Sequence, residues 1–260
     1  MLIIGERINP ASKPALAFAL REGRTTLIQQ EVIAQERSGA QALDVNVYLS
    51  DIDRAKIMRE VVETIRFISQ IPLLIDDRDP VVVESGLKEA GSNRFINSPI
   101  DVEDANAKIF SLVQKFKTDA FVLPLAQNRI PENFEEHIRL SHLLVKRFEE
   151  NGVPRKHLVI DAMLLTLKQA KSGVVKTLET IKRLKEELGV RTVMGLSNIS
   201  YGLKNREKLN SRFLKLARGC GLDAVICDPV QKEVMNAASG DVEIYTELGV
   251  KKFLEFAETC

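Results

Sequence analysis

The sequence predicts an α/β fold in the form of a single (β/α)8 barrel over residues 1–260. Three observations support this prediction. Short apolar runs alternate eight times with helical stretches, and 260 residues is an ordinary length for such a barrel. The apolar runs are continuous, as expected for parallel strands that are covered on both faces. Polar side chains follow most of these strands, where a barrel places its ligand site. An open, doubly wound sheet would show the same alternation, because sequence does not reveal closure.

Each predicted strand is a short apolar run that stops at a polar residue, a Gly or a Pro. The first strand leads directly into Gly5-Glu6-Arg7-Ile8-Asn9, and the fifth opens into a longer loop over residues 124–131. The eight predicted strands are residues 2–4, 42–46, 72–76, 94–97, 119–123, 157–161, 191–194 and 223–227.

The segments between the strands carry helix signals. Gly39 is a helix stop, and Pro80 follows Asp79 as the first residue of another helix. Residues 51–69 place apolar side chains close to the 3.6-residue period, at Ile57, Val61, Val62, Ile65 and Ile68. The predicted helices are residues 25–38, 51–69, a helix that begins at Asp79, 102–117, 133–151, 173–188, 207–220, and a last helical region from Val230 onwards in one or two pieces.

Composition excludes several classes of function. There are 37 basic and 36 acidic residues, a net charge of +1, which gives no basis for nucleic acid or a membrane surface as partner. No run approaches the ~18 apolar residues of a membrane span, and the N-terminus lacks the basic region of a signal peptide. Three cysteines without CxxC spacing predict neither a disulfide framework nor a bound metal, and they fit a reducing cytoplasm.

The carboxyl ends of the strands would meet at one end of the barrel, which we call the mouth. The polar residues predicted there are Glu6, Asn9, Asp44, Asn46, Asp76, Asp77, Asn97, Asp161, Ser197, Asn198, Ser200 and Asp228. Carboxylates and amides dominate this set, and none of the three histidines belongs to it. Such a set suits a ligand with several N–H donors, for example the edge of an amino-pyrimidine. The alternative for each residue is structural, and we expect Asp79 and Asp101 to cap helices.

Several of these residues lie in motifs that follow one another in order. The motifs are IGERIN at 4–9, LDVN at 43–46, LLIDD at 73–77, FINS at 95–98, VID at 159–161, GLSNIS at 195–200 and the Asn205-Arg206 pair. Together they resemble the pterin-binding methyltransferases that act on 5-methyltetrahydrofolate and a corrinoid protein, and the likeness covers nearly the whole chain.

The resemblance implies a (β/α)8 barrel that holds the pterin in its mouth. It assigns Asp76, Asn97 and Asp161 to the pterin ring and Asn198 to catalysis at N5, the methyl-bearing nitrogen. It also assigns Gly195, Ser197 and Arg206 to the side of the ligand that carries N5. Glu6, Asn9, Asp44 and Asn46 are further candidates because of their position at the mouth. It further implies tetrahydrofolate as substrate, a cobalamin-carrying partner protein and a homodimer.

The chemistry agrees with the residues available. A methyl group leaves a tertiary amine only if N5 gains positive character, and the acceptor must be a strong nucleophile such as cob(I)alamin. Transfer to a thiol would need a metal, for which the sequence has no Cys/His cluster. The acceptor would therefore be activated on a partner that docks over the mouth, and the direction of transfer stays open.

The sequence departs from the family pattern at Tyr201, where a Gln is expected, in the strand after Asp161, and in the loop at residues 124–128. These changes leave the corrinoid partner undefined. One alternative is a dihydropteroate synthase, although Pro10-Ala11-Ser12-Lys13-Pro14 lacks that enzyme's Thr-Pro-Asp-Ser-Phe-like loop. The other alternative is a folate-binding barrel without catalytic activity.

Overall fold

The computed structural model describes residues 1–102, 107–168, 172–243 and 245–260, and eight parallel strands in this part of the chain close into one barrel. The strands are β1 (Leu2–Ile8), β2 (Ala42–Asn46), β3 (Leu73–Asp76), β4 (Arg94–Asn97), β5 (Ile100–Asp101), β6 (Ala120–Val122), β7 (Pro124–Leu125), β8 (Leu158–Asp161), β9 (Arg191–Gly195) and β10 (Ala224–Cys227). Around the barrel the order is β1-β2-β3-β4-β6-β8-β9-β10, and β5 and β7 pair separately.

Helices of the described residues connect the strands. They are α1 (Pro14–Arg21), α2 (Thr26–Arg37), α3 (Arg54–Ile68), α4 (Pro80–Glu89), α5 (Ala107–Phe116), α6 (Phe134–Glu150), α7 (Ser172–Arg183), α8 (Arg206–Gly219), α9 (Lys232–Ser239) and α10 (Glu247–Ala257). A π-helical turn over Leu184–Leu188 extends α7 to the predicted end. None of the described helices has both the length and the apolar character needed to cross a membrane.

Closure of the sheet confirms the barrel over the open, doubly wound alternative. β1 pairs in parallel with β10, and the pairs run from Leu2 and Ala224 to Gly5 and Cys227. β1 also pairs with β2, so the first and last barrel strands leave no free edge. The eight predicted strands agree with the observed ones to within about two residues except the first, which continues through Ile8.

One helix and two short strands were not predicted. The Pro14–Arg21 segment is a helix with Pro at its first position, and four of its apolar side chains are buried. The short strands β5 and β7 extend the wall of the barrel beyond β4 and β6. The last helical region is confirmed as two pieces, α9 and α10.

Of the two aspartates that were expected to cap helices, Asp79 does so and Asp101 lies in a strand. The Asp79 carboxylate accepts a hydrogen bond from the Val81 N–H at 2.9 Å, which confirms it as a cap of α4. Asp101 lies in β5 and accepts from the Asn128 N–H at 2.6 Å. Residues 103–106, where the predicted helix after Asp101 would begin, lie outside the described part of the chain.

A bulge interrupts the pairing of β1 with β2. Gly5 pairs with Leu43 and Ile8 with Val45, so β1 uses one residue more than β2 over this stretch. The Arg7 N–H that the bulge removes from the ladder donates instead to Gln35 Oε1 on α2, at 3.0 Å. Gln35 is fully buried and its amide occupies the space that a side chain at position 5 would need.

We predict that Gly5→Ala destabilises the barrel. A Cβ at this position would lie 2.2 Å from Gln35 Oε1, so Gln35 would have to move and the Arg7 N–H would lose its buried acceptor. The expected loss in the free energy of unfolding is about 1–3 kcal/mol, measured by urea denaturation. The control is Gly173→Ala, whose added Cβ would meet its nearest neighbour at an ordinary 3.5 Å. Equal stability of the two variants would contradict the role given to Gln35.

Candidate functional site

The pleat of the barrel strands explains why polar residues meet in the mouth. A cluster of apolar side chains, including Ile4, Ala42, Leu74 and Val159, fills the centre of the barrel. Side chains two residues further along a strand return to the same face. The residues at those positions are Glu6, Asp44, Asp76 and Asp161, and the same step from Phe95, Val193 and Ile226 leads to Asn97, Gly195 and Asp228. The mouth is thus the polar layer directly above an apolar one.

Asparagines pair with two of these carboxylates across neighbouring strands. The Asn46 amide donates to Asp76 Oδ2 at 2.8 Å, and the Asn97 amide donates to Asp44 Oδ1 at 2.9 Å. Asn46 Oδ1 is also used, because it accepts from the Tyr48 N–H at 2.8 Å. These contacts fix the orientation of both carboxylates and leave each with one oxygen that has no donor among the described residues.

Asp161 is held in a different way, by its own chain. Its Oδ1 accepts from the Met163 N–H at 2.8 Å, in a turn where Met163 has a φ of 54°. This left-handed conformation is unusual for a residue with a long side chain, and sequence gave no sign of it. Asp161 Oδ2 has no donor among the described residues, so this carboxylate also keeps one oxygen available.

Burial raises the pKa of four carboxyl groups in this layer, those of Glu6, Asp44, Asp76 and Asp161. The pKa of Asp76 and that of Asp161 rise to about 6, and that of Glu6 rises to about 7. Burial also raises the pKa of Asp44 well above its ordinary value, and the neighbouring Asp76 charge adds to this effect. Taking a carboxylate out of water disfavours its charged form, and the hydrogen bonds from Asn46 and Asn97 offset only part of that cost.

These pKa shifts lower the stability of the ligand-free protein at neutral pH. In the unfolded chain a carboxyl group titrates near about 4, whereas Asp76 and Asp161 titrate near 6 when folded. The folded state therefore binds more protons between these values, so stability falls as the pH rises through that window and remains lower above it. A ligand that donates N–H groups to the ionised carboxylates would reverse this loss.

Asn198 belongs to a short 3-10 turn, Leu196–Asn198, directly after β9. Leu196 and Ile199 anchor the turn because both are fully buried. The Asn198 side chain is exposed and has no hydrogen-bond partner among the described residues. A Cβ built on Gly195 would lie 3.2 Å from Asn198 Nδ2, so the Asn198 amide occupies the place of an interior side chain at position 195.

Two charged residues hold this turn from different elements. The Ser197 hydroxyl donates to Glu6 Oε1 on β1. Arg206, the first residue of α8, donates to the Ser197 carbonyl and to Ser200 Oγ, both at 3.1 Å. The structure therefore brings Glu6, Ser197 and Arg206 together around Asn198.

Not every polar residue predicted for the mouth belongs to the polar layer. The expectation for Asp77 was wrong, because it follows Asp76 and points away from the interior. Both of its carboxylate oxygens accept from Arg54 Nη1 at 2.7 Å, and its side chain is fully buried. Asn9 Oδ1 accepts from the Ala11 N–H at 3.0 Å within its own loop.

Arg7, which the sequence did not single out, supports the mouth from behind β1. It donates to Glu31 Oε2 on α2 at 2.6 Å and to Asp228 Oδ2 at 2.8 Å. These contacts tie the ends of β1 and β10 to α2. Its position one residue after the interior Glu6 was the available signal that it would face the helices.

The histidines and cysteines lie elsewhere. His137 is buried in α6, where desolvation lowers its pKa to about 4, and His157 contacts Asp119 before β8. Cys220 and Cys227 are buried free thiols. Within the described residues, no group of three or more His, Cys, Asp or Glu side chains is arranged to hold a metal ion.

Among curated proteins, the chain is similar to a methylcorrinoid:tetrahydrofolate methyltransferase of Eubacterium limosum, with 25% identity over 243 residues that cover 91% of this chain and 88% of that protein. It is also similar to the methionine synthase of Mycobacterium tuberculosis, with 27% identity over 240 residues. That match covers 87% of this chain but 20% of the synthase, so the chain spans about a fifth of that protein's length.

Solved structures of the same fold include two dihydropteroate synthases. The enzyme of Xanthomonas albilineans, in complex with 7,8-dihydropteroate, has a TM-score of 0.66 and 18% identity over 91% of this chain and 89% of that chain. The enzyme of Coxiella burnetii, in complex with pteroic acid, has a TM-score of 0.68 and 15% identity over 91% of this chain and 92% of that chain. At these identities the likeness concerns the fold.

The family model of the pterin binding enzymes matches residues 19–228, and the chain therefore belongs to this family.

Proposed function

We propose that the protein is a methyltransferase that moves the N5 methyl group between 5-methyltetrahydrofolate and the cobalt of a corrinoid protein. The observation that carries this proposal is the position of the Asn198 amide. It lies in the mouth over Gly195, without a partner among the described residues, in a barrel of the pterin-binding family. The Eubacterium limosum relative, whose name describes methyl transfer between a corrinoid and tetrahydrofolate, supports the reaction class.

The carboxylate layer would bind the pterin ring. The amino-pyrimidine edge of a pterin presents adjacent N–H groups, and an ionised carboxylate is the strongest side-chain acceptor for them. Asp76 and Asp161 each offer one oxygen without a donor among the described residues. Asn97, beside Asp76 in the β3–β4 pairing, would complete the edge with its remaining amide groups. Asp44 and Asn46 would support these residues through the amide–carboxylate pairs described above.

Asn198 would act on N5 during transfer. When the N5–CH3 bond breaks, its electron pair stays on nitrogen, and the new bond to the methyl carbon uses the electron pair of cobalt(I). An N–H group directed at N5 stabilises the pair that develops there, so it contributes more in the transition state than in the bound ground state. In the reverse direction the N5 electron pair attacks the methyl carbon, the cobalt keeps the electron pair of the broken Co–CH3 bond, and the N5 proton leaves to solvent.

The surface around the mouth suits a protein partner. Large apolar side chains are exposed on segments that follow barrel strands, namely Phe18, Tyr48, Ile130, Tyr201 and Val230. Tyr201 is 69% exposed and lies three residues after Asn198, and its N–H donates to the Asn198 carbonyl at 3.1 Å. Apolar groups placed around a polar pocket are typical of protein interaction sites. We propose that the corrinoid protein docks on this rim and brings its cobalt over N5.

A transfer assay tests the proposed function directly. The protein is incubated with 5-methyltetrahydrofolate and free cob(I)alamin, and methylcobalamin is followed by absorbance; the reverse assay starts from methylcobalamin and tetrahydrofolate. We expect transfer in at least one direction. Formation of dihydropteroate from dihydropterin pyrophosphate and p-aminobenzoate, without methyl transfer, would support a dihydropteroate synthase instead. Folate binding without either reaction would support a non-catalytic barrel.

We predict that Asp161→Asn weakens pterin binding by ~10–100-fold in Kd. The substitution removes a charge-assisted hydrogen bond, a loss of about 1.5–3 kcal/mol. The measurement is a calorimetric titration with 5-methyltetrahydrofolate at pH 7.5. The matched control is Asp223→Asn, since Asp223 also accepts a backbone N–H, from Thr192 at 2.9 Å, but at the opposite end of the barrel. Unchanged affinity of Asp161→Asn would remove this carboxylate from the site.

We predict that Asn198→Ala lowers kcat for methyl transfer by ~10²–10³-fold and changes the Kd for 5-methyltetrahydrofolate much less. The scale is that of removing one donor that acts on charge developing in the transition state. The control is Asn151→Ala, which removes an exposed asparagine that follows α6. If Asn198→Ala transfers the methyl group at the wild-type rate, Asn198 does not act on N5.

A further inference from the structure

Glu6 lies in the polar layer of the mouth, and its contact is with the protein's own Asn198 turn. Its Oε1 accepts from the Ser197 hydroxyl, one residue before Asn198 in the chain. Glu6 is on β1 and Ser197 follows β9, so this hydrogen bond reaches past the intervening strand β10. The side chain of Ser197 thus connects the Leu196–Asn198 turn to β1.

The Glu6 contact and the Arg206 contacts restrain the turn together. Arg206 Nη2 donates to the Ser197 carbonyl at 3.1 Å, while Glu6 accepts from the hydroxyl of the same residue. Ser197 is therefore fixed through its side chain by β1 and through its backbone by α8. The following residue, Asn198, has no side-chain partner among the described residues, so its position depends on the backbone of the turn.

Resting on the proposed function, we infer that Glu6 is a positioning residue for methyl transfer: through Ser197 it fixes the turn that places the Asn198 amide over Gly195. A displacement of about 1 Å of a catalytic group can lower a rate by about 10²-fold. Losing the Glu6 contact should therefore affect kcat, while pterin affinity, which depends on Asp76 and Asp161, should change little.

The contact of Glu6 with Ser197 requires a side chain of sufficient length that ends in a hydrogen-bond acceptor, but it does not require a negative charge. The mouth already disfavours charge at this position, since burial raises the pKa of Glu6 to about 7. A glutamine side chain has the same length, and its carbonyl oxygen can accept from the Ser197 hydroxyl. Aspartate is shorter by one methylene group, and alanine removes the acceptor. Glu6→Gln should therefore preserve the contact, whereas Glu6→Asp and Glu6→Ala should break it.

The kinetic test compares these variants in the transfer assay with 5-methyltetrahydrofolate and cob(I)alamin. We expect Glu6→Ala, Glu6→Asp and Ser197→Ala each to lower kcat by ~10–100-fold with KM for the folate within about threefold, and Glu6→Gln to retain at least about a third of wild-type kcat. Adding Glu6→Ala to the Asn198→Ala variant should change its rate by less than about twofold, because both substitutions act through Asn198. A rise in KM with unchanged kcat, or additive effects, would contradict the inference.

A matched control comes from a second Glu–Ser pair in the chain. Glu36, near the end of α2, accepts from the Ser69 hydroxyl at 2.5 Å, far from the Asn198 turn. Glu36→Ala removes the same kind of hydrogen bond and should lower the melting temperature without changing kcat. If Glu36→Ala lowered kcat as much as Glu6→Ala, the effect would be one of general stability.

Hydrogen exchange separates this inference from the proposed function, because it needs no catalytic activity. The N–H groups of Ile199, Tyr201 and Leu203 bond to carbonyls within the turn and the residues after it. We expect a peptide over residues 195–203 to exchange faster in Glu6→Ala and Ser197→Ala, and at the wild-type rate in Glu6→Gln and Glu36→Ala. If wild-type protein transfers no methyl group but shows this pattern, the proposed function fails and the role of Glu6 in holding the turn stands. Unchanged exchange in Glu6→Ala would overturn the inference.

Discussion

Removal of carboxyl groups from water is the constraint around which this barrel is built. The strand pleat places four acidic side chains, Glu6, Asp44, Asp76 and Asp161, directly above an apolar core. Burial raises the pKa of each of them, so an ionised mouth is unfavourable in the absence of a ligand. A loss of stability of this kind is common at binding sites whose hydrogen-bond acceptors are already in position before the ligand arrives. The asparagines reduce this cost for Asp44 and Asp76, but Asp44, Asp76 and Asp161 each keep one oxygen without a donor among the described residues.

The surrounding scaffold holds these groups at fixed positions. The strand pleat directs Glu6 inward and Arg7 toward the helices, and Gln35 satisfies the Arg7 backbone N–H that the bulge in β1 leaves unpaired. Arg7 then links β1 to Glu31 and Asp228. Two strands from β1 around the barrel, Arg206, the first residue of α8, restrains the turn that carries Asn198. Contacts from α2 and α8 thus hold the ends of β1 and β10 and the Asn198 turn, while the asparagine–carboxylate pairs hold Asp44 and Asp76 within the layer.

Sequence patterns predicted the barrel because each parallel strand is an apolar run ending in a polar residue. The interior residues Asp76, Asn97 and Asp161 were found for the same reason, since a strand end identifies the mouth. Asp77 was misplaced because the period-two pleat decides which of two adjacent aspartates faces inward, and the sequence does not fix that register. The roles of Gln35 and Arg206 depend on contacts between distant segments. The left-handed conformation of Met163 has no sequence signal, because glycine or asparagine is the usual residue there.

We propose that the carboxylates of the mouth ionise to accept the N–H groups of a pterin. The most direct test is the proton balance of binding, measured by calorimetry with 6-hydroxymethylpterin in buffers of different ionisation enthalpy. Near pH 6, where Asp76 and Asp161 are partly protonated in the free protein, binding should release protons. The release should decline toward about pH 8, and it should be smaller in Asp76→Asn and Asp161→Asn. Binding without proton release near pH 6, or with equal release in these variants, would show that these carboxylates do not ionise to bind the pterin.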